Sequence, residues 1–369
     1  MGRWSRSRKS KSCPKPGAFA LGPGTILEVV EIDDLLLVAA SAGGGVALAR
    51  AQSRRWETEA VLRDQDVRCL AANLTDGRTL YAGTQGNGVF RSTDGGASWS
   101  QAGAGLAGQI IKSLAVSPGD ERTVYAGAKP PMVFVSHDGG ESWEELKAFR
   151  GIPGRSLWRS PAEPPGTAYV QSLAVSPTDP QVILAGIELG AVVRSEDGGA
   201  TWSRHLRGTL RDCHSLIFHP HDGSWAYEAG GTGGGASLSR DGGSTWTKVG
   251  EGLDRHYGVA CAADPDRPGV WYISASPGPG KAHSGGNAEA ALFRAQDGAK
   301  WVKLTGGLPQ PIESMPYGLA TVPRRRGLVI TGLQNGEVWA SEDIGESWSQ
   351  LSVQLGSIRP GLLAVPRRT

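Results

Sequence analysis

The octapeptide SEDGGATW (195 to 202) recurs along the chain: STDGGASW (92 to 99), SHDGGESW (136 to 143), SRDGGSTW (239 to 246), the shortened AQDGAKW (295 to 301) and SEDIGESW (341 to 348), with a worn copy, RAQSRRW, ending at Trp56. Aligned on Trp56, Trp99, Trp143, Trp202, Trp246, Trp301 and Trp348, the copies stand 43, 44, 59, 44, 55 and 47 residues apart. A self-similar period of this length restricts the chain to a propeller or a solenoid, because one unit cannot bury its apolar face without a neighbour.

The rest of each unit decides between the two. In VQSLAVSPTDPQVILAGIELGAVVRSEDGGATWSRH (170 to 205), SLAVS reads as strand A, PTDP as a turn, VILAGI as strand B, AVVRS as strand C, DGG as a second turn and TWSRH as strand D. Equivalent A–B hairpins are VRCLAANLTDGRTLYAGT, IKSLAVSPGDERTVYAGA, CHSLIFHPHDGSWAYEAG, YGVACAADPDRPGVWYISA and YGLATVPRRRGLVITGL. Four short antiparallel strands per repeat make a propeller blade. The fold expected is all-β: a single seven-bladed propeller of four-stranded antiparallel blades over residues 24–369, nearly free of helix. Glycine, 54 of 369 residues, is about twice its usual ~7%, as a turn-rich chain requires. The C-terminal PGLLAVPRR (360 to 368) echoes PYGLATVPRR (316 to 325) and is expected to latch onto blade one, although TILEVVEID also offers that blade an inner strand.

Other features bound the function. Residues 1–23 form a basic segment, read as a disordered leader, in which Arg3, Arg6, Arg8, Lys9, Lys11 and Lys15 face no acid; without them the net charge of +2 becomes about −4. The leader lacks an apolar h-region, and no run approaches the ~18 apolar residues of a membrane span. Cys13, Cys69, Cys213 and Cys261 form no CxxC, so neither a disulfide framework nor a zinc site is indicated and a cytoplasmic location is expected. Acids and bases are interspersed along the repeats, which disfavours nucleic acid as a partner. A monomer without cofactor is expected, since GGTGGG (230 to 235) lacks the GK[ST] of a phosphate loop.

The octapeptides resemble the Asp-box (BNR) repeats of sialidases, sortilin-type receptors, xyloglucanases and a photosystem II assembly factor, over roughly residues 24 to 366. The single short propeller carrying SASPGPGKAHSGGNAEA (274 to 290) is similar to bacterial BNR-repeat proteins labelled glycosyl hydrolase-like. The box itself has a sufficient structural explanation. Asp94, Asp138, Asp197, Asp241, Asp297 and Asp343 can accept backbone N–H bonds inside the turn, glycine supplies positive φ, and tryptophan packs on the blade.

Because the boxes are C–D turns, they occupy the face opposite the B–C and D–A connections. The long insertions 146–169 and 274–290 are D–A and B–C connections, so both fall on that other, top face, where binding usually resides. Each A strand starts at the top, and two residues before its leucine or valine stands a polar side chain that varies among blades two to seven: Arg68, Lys112, Gln171, His214, Tyr257 and Tyr317. These are expected to ring the channel mouth, joined by Lys129, Glu188, Lys281, His283, Gln334 and Asn335 from the top loops. Cations, amides and aromatic planes suit a glycan, a small polar or anionic ligand, or a protein segment.

Catalytic readings are weighed against this. His214, His219 and His221 are not expected to share a metal, since five strand residues separate the first two by about 16 Å. Likeness to sialidases would imply an arginine triad and a tyrosine nucleophile paired with glutamate, but residues 24–49 hold no arginine and only Arg68 of the ring is one. Tyr257 or Tyr317 with Glu188 is the remaining nucleophile pair, and Glu28, Glu188, Glu228 and Glu289 are the acids near the top for a glycosidase. Trp158, between Arg155 and Arg159, is read as a tack holding its insertion to the propeller, with a stacking contact to a ligand as the alternative. The expected function is a non-catalytic binding or assembly propeller, with a glycoside hydrolase or lyase at the same mouth as the alternative.

Overall fold

The computed structural model describes residues 32–41, 44–52, 55–161, 166–231, 234–297 and 300–367. The basic leader, Cys13, Glu28 and most of TILEVVEID lie outside them. The described strands form seven antiparallel sheets. Their innermost strands, which we call A, begin at Val67, Ile110, Val170, Cys213, Tyr257, Pro316 and Ile358. Each A strand touches the A strands on either side, and that of blade seven touches Ile358–Pro366, so the seven close a ring. Among the described residues, helix is confined to Pro279–Ala282 and to short 3-10 turns.

Blade one is built from both ends of the described chain. Its sheet runs Ile358–Pro366, Leu35–Ser41, Val46–Gln52, Arg55–Val61 from the axis outward. The C-terminal segment therefore supplies the inner strand, pairing Leu35 with Pro366 and Ser41 with Ile358. Ile32–Asp34 forms a 3-10 turn leading into strand B, and the rest of TILEVVEID lies outside the described residues. Blade four has three regular strands; its outer edge is held by Ser203 N–H to Arg194 O and Leu206 N–H to Val192 O.

Adjacent blades are joined by a repeated side-chain bond. The residue after each of four ring positions reaches the inner strand of the next blade: Cys69 Sγ to Ile111 O, Ser113 Oγ to Val170 O at 2.8 Å, Ser172 Oγ to Leu216 O, and Ser215 Oγ to Cys261 Sγ. The facing residue of strand B is glycine where the fit is tightest. A Cβ on Gly83 would lie 2.5 Å from Cys69 Sγ and 2.7 Å from Ile111 Cγ2, and one on Gly127 would lie 2.6 Å from Val170 Cγ1. This is why AG recurs in YAGT, YAGA and LAGI: the missing methyl sets how closely two blades approach.

At the bottom end each box closes its C–D turn in the same way. In blade three, Ser136 Oγ donates to Asp138 Oδ1 at 2.7 Å, and the Ser142 N–H and Oγ–H donate to the same carboxylate at 2.9 and 2.5 Å. Gly140, at φ 96°, donates its N–H back to Ser136 Oγ, and Trp143 Nε1 donates to Gly140 O at 3.0 Å. The same set recurs around Asp94, Asp197, Asp241 and Asp343. These donors stabilise the ionised carboxylate, so Asp94 falls to about 2. The worn boxes deviate: Ala295 replaces the serine, and Ile344 takes a glycine's place at φ 61°.

The glycine wedge gives a direct test. Gly127→Ala should destabilise the protein by about 1–3 kcal/mol in denaturant unfolding, the range for overpacking a filled core. An alanine variant as stable as the wild type would show that blades three and four are not in close contact there.

Candidate functional site

Where the A strands start, their ladders with strand B are interrupted. The register slips between Val67 and Cys69, Ile111 and Ser113, Val170 and Ser172, Cys213 and Ser215, and Pro316 and Gly318. The residue left over in each bulge is a ring residue: Arg68, Lys112, Gln171, His214 or Tyr317. A bulge frees one residue from the ladder and re-aims its side chain, here into the channel. In blade six the slip comes at Val259, and Tyr257 stands two residues before it.

All six ring residues line one cavity of about 940 Å³ at the top of the channel. Glu188 from the B–C turn of blade four and His283 from the 274–290 insertion share its wall, as the sequence suggests. Four other expected residues do not line it. Lys281 is turned to Glu289 at 2.5 Å. Gln334 donates its backbone N–H to Met315 O in the blade-seven turn, where the Asn335 side chain accepts from Glu337 N–H and its carbonyl accepts from Gln354 Nε2. Lys129 is buried, 5.8 Å from the Tyr169 ring centroid. For Lys281, Asn335 and Lys129, local partners fix the side chain away from the cavity.

Residues missing from the sequence reading complete the wall. Tyr169 lies 4.8 Å beneath Lys112 Nζ, and Asp66 pairs with Arg68 at 2.7 Å. Asp212, outside this lining, approaches His214 to 3.4 Å. Each of Asp66, Tyr169 and Asp212 stands two places before a ring residue, and strand alternation puts such residues on the same side. That period was the available signal. Arg359, in the last strand, spreads its guanidinium over Tyr317 at 5.2 Å and approaches His283 Nδ1 to 3.2 Å.

Two polar groupings stand on the blade-five to blade-seven side. In the first, Tyr317 Oη donates to Ala282 O at 3.1 Å and lies 2.7 Å from His283 Nδ1. The Tyr257 hydroxyl lies 3.1 Å from His283 Nε2. Desolvation first, and then the Arg359 charge, lowers the His283 pKa, which favours the neutral imidazole. Burial and then the Asp212 and Glu188 charges raise the Tyr257 phenol above its ordinary range.

In the second, His214 Nδ1 faces Gly258 O at 2.6 Å, while Nε2 faces Asp212 Oδ1 at 3.4 Å and Glu188 Oε2 at 3.8 Å. Burial opposes a charged imidazole, but the Asp212 bond and the two carboxylate charges together raise its pKa. Glu188 also lines a second cavity of about 460 Å³ beside the mouth, between Pro161 of one insertion and Pro277–Pro279 of the other. Behind this wall, fully buried Glu228 accepts Leu210 N–H at 2.9 Å, and desolvation pushes its carboxyl up to about 8.

The other candidates are structural. His219 accepts His221 and Asp222 N–H groups at Nδ1 and faces Asp264 O at 3.0 Å through Nε2, at the opposite end of the strand from His214. Trp158 is buried against Phe149, with ring centroids 6.0 Å apart, and anchors the 146–169 insertion rather than meeting a ligand.

The model of the BNR/Asp-box repeat matches residues 134–145, the box of blade three. No curated protein matches the chain by sequence. Among solved structures, an ancestral GH74 enzyme is similar at 19% identity with a TM-score of 0.59, covering 83% of this chain and 37% of its own. The GH74 xyloglucanase from Xanthomonas campestris is 20% identical with a TM-score of 0.56, covering 86% of this chain and 46% of its own. The chain thus spans less than half the length of either enzyme. YCF48 bound to D1 peptide is 15% identical with a TM-score of 0.54 and matches over 87% of both chains. These likenesses support the fold: a seven-bladed propeller of BNR/Asp-box repeats.

Glu228 makes the wall pH-sensitive. A carboxyl whose folded pKa is raised from 4.5 to about 8 contributes full stability below the lower value and loses it as pH rises through the upper. Glu228→Gln should therefore melt above the wild type at pH 9 and show no such advantage at pH 5, by calorimetry. Equal differences at both pH values would mean that Glu228 titrates normally.

Proposed function

Starting from a seven-bladed propeller of BNR/Asp-box repeats, we propose that this protein is a non-catalytic binding module that holds a polar ligand, either a glycan or a carboxylate-bearing segment, in the channel mouth. One observation carries the reading: six side chains, one from each of six blades, converge with Glu188 and His283 on a single cavity of about 940 Å³. That volume is at the upper end for small-ligand sites. Its wall combines donors (Arg68, Lys112, Gln171, Arg359) with the aromatic planes of Tyr169, Tyr257 and Tyr317. Sugars and carboxylates are recognised through this pairing of fixed polar groups and apolar faces.

The carboxylate geometry favours binding over hydrolysis. Glu188 and Asp212 stand on one wall, with their ligand atoms and His214 Nε2 all within 4.8 Å of one another. A glycosidase needs its two carboxyl groups on either side of the scissile bond, ~5–5.5 Å apart for retention or ~6.5–9.5 Å for inversion. A nucleophilic tyrosine needs a lowered pKa or an adjacent base; that of Tyr257 is raised. The hydrogen bond from Tyr257 to His283 is what favours the second reading, a hydrolase or lyase acting on carbohydrate.

Calorimetric titration with a panel of neutral and acidic oligosaccharides and of short peptides tests both. The ligand that binds should lose at least about tenfold in affinity, roughly 1.4 kcal/mol, on Arg359→Ala and on Tyr257→Ala. A ligand held equally by both variants would move the site away from the mouth. Turnover of a saccharide that stops in Glu188→Gln would replace the binding reading with the enzymatic one.

A further inference from the structure

In its neutral form the His214 imidazole has a single tautomer open to it. A carbonyl oxygen can only accept, so Nδ1, 2.6 Å from Gly258 O, carries the proton, and Nε2 of the neutral ring presents its lone pair to Asp212 and Glu188. Three electron-rich atoms thus point at one place. The separations from Nε2, 3.4 and 3.8 Å, are longer than the ~2.7–2.9 Å of a charge-assisted N–H to carboxylate bond. They are close to the spacing of neighbouring donors that each stand ~2.0–2.2 Å from a tetrahedral ion, about 3.4 Å.

The surroundings match such a centre. An imidazole N–H donated to a backbone carbonyl is the outer support that orients metal-binding histidines. The Asp212 carboxylate is seated against the backbone of Gly231, where any Cβ would overlap Asp212 Oδ2. The three side chains are nearly buried, at 7 to 10% exposure, yet Glu188 and His214 border the mouth and Glu188 and Asp212 border the adjacent cavity. An ion there would have three protein donors and an open side toward both cavities, the arrangement of a site that also takes water or a ligand.

We propose that Glu188, Asp212 and His214 bind one divalent transition-metal ion, of the zinc or manganese type, in the wall of the mouth. One nitrogen and two carboxylates suit these ions better than magnesium or calcium, which prefer oxygen alone. The site does not depend on which ligand the mouth holds, so it stands or falls separately from the binding reading.

Full-length protein stripped with EDTA and titrated calorimetrically with ZnCl2 and with MnCl2 should bind one ion per chain. Asp212→Asn and Glu188→Gln should each weaken binding more than about 100-fold, beyond what outer-shell changes do. Pulsed electron paramagnetic resonance of the Mn²⁺-loaded wild type should show coupling to one imidazole nitrogen, a readout independent of how the variants fold. Absence of binding by the wild type, wild-type affinity in either variant, or an Mn²⁺ signal without nitrogen coupling would each overturn the site.

Discussion

The contact on which the molecule depends is the one between neighbouring inner strands. A small side chain just past the mouth, Cys69, Ser113, Ser172 or Ser215, bonds to the next strand, and a glycine such as Gly83 or Gly127 opposite it admits that strand. Regular backbone ladders run within a sheet, so sheet is held to sheet by these side-chain bonds, the packing around them and single backbone bonds such as Trp143 N–H to Ala104 O. Closure comes from Ile358–Pro366 pairing with Leu35–Ser41, which leaves no open edge between blades seven and one. The same strand delivers Arg359 to the mouth, so closing the ring and completing the site are one event.

The two ends of the blades do different work. At the bottom, each carboxylate is consumed by its own turn: Asp138 accepts from Ser136 and Ser142 and holds the loop that seats Trp143. At the top, the bulges release ring residues such as Arg68, Lys112 and His214 from the ladder and turn them into the shared mouth. A repeat that stays constant at one end and varies at the other can thus carry many ligands on one frame.

Much of this was legible in the chain. The tryptophan period gave the blade count, the turn residues gave the strand order, and the one variable position in each A strand gave Arg68, Lys112, Gln171, His214, Tyr257 and Tyr317. Top-loop residues were less readable. Glu188 reaches the mouth, whereas Lys281 finds Glu289 and Asn335 caps its own turn, and nothing in a linear string separates a loop side chain aimed inward from one with a local partner. Asp66, Tyr169 and Asp212 were within reach of the period-two rule but fall in connections, where alternation alone gives little reason to trust it. Arg359 lies one residue before the C-terminal echo, beside the ring position rather than on it.

By itself, then, the sequence determined what is local and repeated: seven blades, four strands in each, the turns that join them and the end at which variation collects. These follow from φ/ψ preferences and side-chain alternation over a few residues, which act the same way in every copy. Tertiary structure alone decided which groups meet. Glu188 reaches His214 across two blades, and His283 meets both Tyr317 and Arg359, because seven sheets packed at fixed spacing leave one shared opening. The identities of its neighbours, and with them the tautomer of His214 and the raised pKa of Tyr257, are set by that closure and by no segment of the chain on its own.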